Sequence, residues 1–142
     1  MSVSDDALER IRRLASRDGL MRLLGMRCLD GGLGRAAVEL TVRDDHLNYN
    51  GTAHGGAIFA LASTAFGLAA NSYGVIAAGV DAHITYQVAP RAGDTLTATA
   101  TEVSRTSKLG VYRIDVTRQD GALVSTFTGT VYFTARPNDG AP

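Results

Sequence analysis

The hydrophobic and polar positions of the chain follow two different periods. From Ala36 to Val42 apolar side chains occupy every second position, which predicts a strand with one buried face. Four more strand-like segments follow one another at 75–88, 95–104, 110–118 and 122–135. Short turns separate them, and Asp120-Gly121 is a strong hairpin signal. Consecutive strands joined in this way predict an antiparallel sheet.

Two other segments have the pattern of helices. Residues 1–19 carry Leu8, Ile11 and Leu14 at helical spacing, and a short second turn follows this N-terminal helix. Residues 55–70 are almost entirely apolar and uncharged, which predicts a helix buried on more than one side.

A sheet wrapped around one long central helix hides that helix best, and a second subunit would cover the side that the sheet leaves open. The pattern therefore predicts an α+β fold, with a single domain over 1–142 and a flexible tail at 136–142.

Composition and charge narrow the functions that this domain can have. Lys plus Arg and Asp plus Glu both total 14, so no overall field favours nucleic acid. The longest apolar run is short for a bilayer span, and the polar, acidic N-terminus lacks the features of an export signal. Cys28 is the single cysteine. We therefore expect a cytoplasmic protein with neither a membrane nor a nucleic-acid partner.

The segment "NYNGTAHGGAIFALASTAFGLAANSYG", residues 48–74, concentrates the candidate chemistry. A helix that starts at Gly55 exposes unpaired backbone N–H groups at its positive end, where an anion or a developing oxyanion is stabilised. His54 is either a donor or acid–base group or a structural loop residue. Asn48 either orients water or closes a turn.

This segment resembles the hotdog-fold thioesterases, in the branch that includes phenylacetyl-CoA thioesterase. The shared pattern is an Asn followed six residues later by HGG, then a helix of the type "LAxTAF" and an "NSxG" end. Together with "GVDAHITYQVAPRAGDTLTATATEVSRTSKLGVYRIDV" and the final strand "GTVYFT", it covers roughly residues 20–135. The resemblance implies a five- or six-stranded antiparallel sheet around the central helix, a homodimer or homotetramer, and a site at the dimer interface.

The resemblance also implies hydrolysis of an acyl-CoA thioester with a small or aromatic acyl group. Coenzyme A is then part of the substrate, and neither cofactor nor metal is expected. By position, Asn48 matches the residue that holds the attacking water or the carboxylate, and His54 lies beside the thioester. Gly55 supplies the N–H that polarises the carbonyl. Asp81 matches an often acidic position, for which we expect a structural role.

Ser63 is where the chain departs from the family, which has Asp or Glu at this position. A hydroxyl takes a proton from water poorly at neutral pH, and general-base help is worth about 10²–10⁴ in rate. Ser63 is either a nucleophile activated by His54 or a serine bonded to its own helix backbone. The second alternative goes with a non-catalytic or weakly active acyl-CoA-binding protein. A hotdog dehydratase is disfavoured because its "GDxNPxH" pattern is not found in the sequence.

The phosphates of coenzyme A require cations. Arg91 follows the end of a predicted strand, and Arg105 and Lys108 fall in the loop "SRTSKLG". These three residues are the candidate phosphate contacts.

Overall fold

A computed structural model describes residues 3–138, with the side chains of residues 5–138. The helices are α1 (Val3–Ser16), α2 (Gly19–Leu24) and α3 (Gly55–Ala70). The strands are β1 (Arg27–Gly32), β2 (Arg35–Thr41), β3 (Val75–Tyr86), β4 (Thr95–Arg105), β5 (Leu109–Arg118) and β6 (Leu123–Pro137). The predicted N-terminal helix, the second turn and the central helix are all confirmed.

The six strands form one antiparallel sheet in the order β1-β2-β4-β5-β6-β3. The predicted α+β fold, with a sheet around a central helix, is therefore confirmed. β1 lies at one edge and contacts α1, whereas β3 lies at the other edge and pairs only with β6. Side chains 78–83 of β3 are exposed, and Val80 shows 58% of its surface.

α3 packs against one face of the sheet, and its apolar side chains form the core with the inward side chains of the strands. Ile58, Leu61 and Ala65 of α3 are buried, as are Val38 of β2 and Ile114 of β5. The predicted alternation along these strands is thus the alternation between core and solvent.

Gly129 of β6 allows the helix to approach the sheet closely. A Cβ atom at this position would lie 2.7 Å from Cζ of Phe66, so only glycine leaves room for that ring. Phe66 in turn packs against the rings of Tyr112 and Phe127 at centroid distances of 5.9 and 5.5 Å. This aromatic cluster fixes α3 over the centre of the sheet.

The C-terminal end of the described chain reaches into the segment predicted as a flexible tail, residues 136–142. β6 continues to Pro137, and the side chain of Asn138 donates to the backbone oxygens of Asn71 and Val75, both at 2.8 Å. These bonds tie residues 136–138 to the end of α3. The remaining residues of the predicted tail, 139–142, lie outside the described residues.

Candidate active site

The start of α3 is organised by His54. Its imidazole Nδ1 accepts from the backbone N–H of Gly56 at 2.8 Å, so His54 is the N-cap of the helix and its proton lies on Nε2. A Cβ atom on Gly56 would lie 2.9 Å from that Nδ1, which explains the second glycine of the motif. The geometry gives His54 a capping role, and a donor or acid–base role of its Nε2 stays a prediction.

Gly55 is the first residue of α3, and its N–H has no acceptor among residues 3–138. Tyr86, at the end of β3, donates its hydroxyl to the carbonyl oxygen of Gly55 at 3.0 Å. The first turn of the helix is therefore held from both sides, by the His54 cap and by Tyr86. An N–H group fixed at a helix start stabilises a carbonyl oxygen that becomes negative.

Asn48 closes the loop that leads into this helix. Its Oδ1 accepts from the N–H groups of Asn50 at 2.9 Å and Thr52 at 3.2 Å, and its Nδ2 donates to Thr52 Oγ1 at 3.2 Å. Asn48 thus has the turn-closing role. One of its two Nδ2 hydrogens has no acceptor within the described part of the chain, so the amide also retains a free donor.

Asn48, Gly55 and Tyr86 line one cleft of about 300 Å³. Ser63 opens into a different cleft of about 500 Å³, between α3 and the α1–α2 segment. Ser63 follows Gly55 by eight positions, which correspond to about 12 Å along the helix axis. The structure therefore brings together Asn48 and Gly55, but it places Ser63 elsewhere on the same protomer.

The hydroxyl of Ser63 has no hydrogen-bond partner among the described residues. The neighbouring Thr64 donates to the carbonyl oxygen of Ala60 at 2.7 Å, which is the backbone bond that we considered for Ser63. His54 lines a third cleft, with Gly56 and Ala57. Within one protomer, a hydrogen-bonded Ser63–His54 pair is therefore not formed.

Two of the three candidate phosphate contacts lie on the β4–β5 hairpin. Arg105 is paired with Glu102, at 3.4 Å between Nε and Oε1, and lies 4.0 Å above the ring of Tyr73. Glu102 also accepts from the hydroxyls of Tyr73 at 2.9 Å and of the buried Tyr112 at 3.0 Å. Burial and this carboxylate raise the pKa of Tyr112 well above its usual range. Arg105 is thus a member of a structural network, and Lys108 is exposed.

Arg91 is exposed at the other end of the sheet, two residues beyond Ala89 of the Gly55 cleft. Its backbone N–H donates to Asp94, which keeps the turn after Pro90 closed. Asp81 is exposed on β3, next to a bulge. None of the helices within residues 3–138 is long and apolar enough to cross a membrane.

The comparisons with known proteins agree with this architecture. The model of the Thioesterase superfamily matches residues 50–125. Acyl-coenzyme A thioesterase PaaI from Escherichia coli is 35% identical over 127 residues, covering 89% of this chain and 91% of that protein. The structure of Escherichia coli PaaI superposes with a TM-score of 0.93 at 33% identity, over 96% of this chain and 99% of its own.

Two further solved structures are similar. A mutant of phenylacetic acid degradation protein PaaI from Thermus thermophilus has a TM-score of 0.78 at 41% identity, over 81% and 98% of the two chains. A Streptococcus mutans protein bound to acetyl CoA has a TM-score of 0.76 at 31% identity, over 80% and 91%.

The fold and the helix-start site thus define a thioesterase. The chain belongs to the thioesterase superfamily, which confirms the predicted family and makes the protein a hydrolase. Tyr86, which supports the first turn of α3, was not among the predicted site residues. Its position at the end of β3, where the edge strand returns to the start of the helix, is the sequence feature that could have indicated it.

Proposed function

We propose that the protein hydrolyses acyl-CoA thioesters with a small or aromatic acyl group, in a site shared between two copies of the chain. The observation that carries this proposal is the separation of Gly55 and Ser63 into two clefts of one protomer. The names of the Escherichia coli and Streptococcus mutans relatives, an acyl-coenzyme A thioesterase and a protein bound to acetyl CoA, support the substrate class.

A homodimer formed along β3 unites the two clefts. β3 is twelve residues long, it is unpaired on its outer side within the protomer, and Val80 and Tyr86 expose about half of their surfaces or more. Exposed edge strands of this length are normally covered. A two-fold axis at this edge places the two α3 helices side by side and antiparallel, so that Gly55 of one copy faces Ser63 of the other.

In that arrangement the thioester carbonyl oxygen binds the free N–H of Gly55, where the helix dipole favours negative charge. Asn48 offers its free amide hydrogen beside it. One oxyanion donor of this kind is worth about 2.7–4 kcal/mol of transition-state stabilisation. The acyl group lies against the apolar wall of the Ser63 cleft, which includes Phe59 and Leu20, both partly exposed. A volume of about 500 Å³ suits an aromatic acyl group.

The hydrolysis itself requires no cofactor, because water is the nucleophile and coenzyme A is the leaving group. No group of three or more His, Cys, Asp or Glu side chains suited to a metal ion occurs in the described part of the chain. The exposed Arg91, near the Gly55 cleft, is our candidate for a coenzyme A phosphate. Arg105 would first have to leave Glu102.

One observation favours a second function, acyl-CoA binding without turnover: position 63 has no carboxylate. Steady-state hydrolysis of an acyl-CoA panel by the unaltered protein and by Ser63→Asp separates the two functions. Hydrolysis by the unaltered protein supports a thioesterase. If both proteins bind acyl-CoA and neither hydrolyses it, thioester hydrolysis is refuted.

Subunit complementation tests the shared site. We expect Asn48→Ala to reduce turnover strongly, because it removes a donor from the Gly55 cleft of one copy. Ser63→Leu should also reduce turnover strongly, because leucine fills the Ser63 cleft of the other copy. In a co-expressed mixture, a mixed dimer contains one doubly altered site and one intact site. Random pairing then restores about a quarter of the original activity. A mixture no more active than its parents contradicts the shared site.

A further inference from the structure

The cleft that contains Ser63 holds one carboxylate, that of Asp18. Asp18 follows α1 and is the N-cap of α2, where its Oδ1 accepts from the N–H of Met21 at 3.0 Å. The residue is half-buried, and it lines the same cleft of about 500 Å³ as Ser63, Thr64 and Asn71. These four residues are the polar side chains of a cleft whose other walls are apolar or glycine.

Two of the four polar side chains already have partners. Thr64 donates to Ala60, as described above. Asn71 donates to the carbonyl oxygen of Gly67 at 2.9 Å and accepts from the N–H of Ala77 at 2.9 Å. Neither side chain is therefore free to receive a proton from water in the cleft.

The other two side chains each have a polar atom without a hydrogen-bond partner. Ser63 Oγ has no partner among residues 3–138, and no contact within the same residues occupies Asp18 Oδ2. The open groups of the cleft are thus one hydroxyl and one carboxylate oxygen. A hydroxyl can hold a water molecule, and a carboxylate can take its proton.

We propose that Asp18 is the general base of this thioesterase and that it acts on a water molecule in the cleft that it lines together with Ser63. The inference rests on the thioester hydrolysis proposed above. The site would therefore combine Gly55 of one copy with Ser63 and Asp18 of the other. In this chain α3 contributes a hydroxyl to the cleft, and the carboxylate comes from the start of α2.

The proposed step balances without any other reactant. The water oxygen bonds to the thioester carbon while Asp18 Oδ2 takes its proton, and the carbonyl electrons move to the oxygen bound at Gly55. The oxyanion then re-forms the carbonyl, the carbon–sulfur bond breaks, and the proton on Asp18 passes to the sulfur. The products are the carboxylic acid and coenzyme A, and Asp18 is again ionised.

The backbone geometry keeps this base in place. Met21 N–H binds Oδ1 at 3.0 Å, which holds the carboxylate at the start of α2 and leaves Oδ2 without a partner among the described residues. With serine at position 63, Asp18 is the one carboxylate among the described residues that line the cleft.

Asp18→Asn is the central test, because asparagine caps a helix as well as aspartate does but cannot accept a proton from water. We expect kcat on the best acyl-CoA to fall by about 10² or more. KM should change by less than about threefold, because the base acts on water and only in the transition state. Tm should stay within about 2 °C of the unaltered protein, since the cap is retained.

Two further variants complete the design. Asp18→Ser, a second capping residue without a carboxylate, should lose kcat to the same extent and covers the case in which Asp18→Asn misfolds. Asp115→Asn removes a carboxylate that pairs with Arg113 at 3.0 Å on the outer face of the sheet, and it should change kcat by less than about twofold.

The Ser63→Asp background distinguishes the base from a merely structural residue. With a carboxylate restored on α3, Asp18→Asn should change kcat by less than about threefold, whereas a structural loss would persist. An Asp18→Asn protein that retains more than a third of its kcat overturns the proposal. So does an inactive unaltered protein whose Ser63→Asp variant is active, a result that would favour acyl-CoA binding without turnover as the native function. If neither protein hydrolyses any acyl-CoA, both proposals fail.

Discussion

Replacing Gly56 by alanine should break the cap that holds the start of α3. The new Cβ would lie 2.9 Å from Nδ1 and 3.1 Å from Cε1 of His54, so the imidazole must move and its hydrogen bond to the residue-56 N–H is lost. Loss of an N-cap costs about 0.5–2 kcal/mol. Against this, alanine has a better helix propensity than glycine by up to about 1 kcal/mol. The two effects nearly cancel, so the single variant decides nothing.

A double-mutant cycle with His54→Ala separates them. Without the cap, Gly56→Ala should stabilise the protein, because only the higher helix propensity of alanine then acts. With His54 present, the same substitution should be neutral or destabilising. We expect a coupling of about 1 kcal/mol between the two positions. For a chain of this size the unfolding entropy makes 1 kcal/mol equivalent to about 3 °C in Tm.

The measurement is urea unfolding of the four proteins at one protein concentration, with Tm as a second reading. His54→Asn is the matched control, because asparagine restores a capping oxygen and should recover most of the stability. A coupling below about 0.3 kcal/mol would lie within ordinary additivity and would refute the cap. If His54→Asn is stable but inactive, His54 has a chemical role that the cap does not explain.

Three other outcomes follow from the structure. Gly129→Ala should destabilise the protein by about 1–3 kcal/mol in urea unfolding, because its Cβ would lie 2.7 Å from Phe66, and an unchanged midpoint would contradict that contact. Val80→Lys should yield monomers in sedimentation velocity and abolish turnover if β3 is the dimer edge, whereas an active dimer would exclude that edge. Hydrogen bonds from Arg118 lower the pKa of Asp120 to about 2, so the stability they give is full above the unfolded pKa of about 4 and is lost as the pH falls towards 2. The Tm difference between the unaltered protein and Asp120→Asn should therefore narrow from pH 5 to pH 2, and a constant difference would argue against the pair.

Most of the fold could be predicted because the positions that face the core recur along the sequence with the period of the strand or helix that carries them. β2 alternates between core and solvent, and residues 55–70 are apolar on nearly every side because the sheet surrounds α3. β1 could not be found in this way. It is an edge strand whose residues do not alternate, with Gly31 and Gly32 at its buried end and exposed positions before them. Its pairing with β2, and not its side chains, makes it a strand.

The site could be predicted only where the chemistry is local. The spacing of His54, Gly55 and Gly56 already describes a helix start, and the cap geometry follows from it. The cleft around Ser63 is not local, because Asp18 precedes Ser63 by 45 positions and reaches the cleft only when the α1–α2 segment packs beside α3. In the sequence, Asp18 carries the ordinary signal of a helix boundary. Only the packing gives that boundary a possible chemical use.

The base proposed at Asp18 would let the cleft work with serine at position 63, where the resemblance implies an acid. A residue at position 63 is fixed by α3, which the sheet and the Phe66 ring cluster hold rigidly. A helix cap is the other kind of position at which a carboxylate is held as firmly, because a backbone N–H binds one of its oxygens and leaves the second free. A base at the cap of α2, as proposed, would therefore be a fixed carboxylate in the cleft. Catalysis would then depend on how the α1–α2 segment packs against α3.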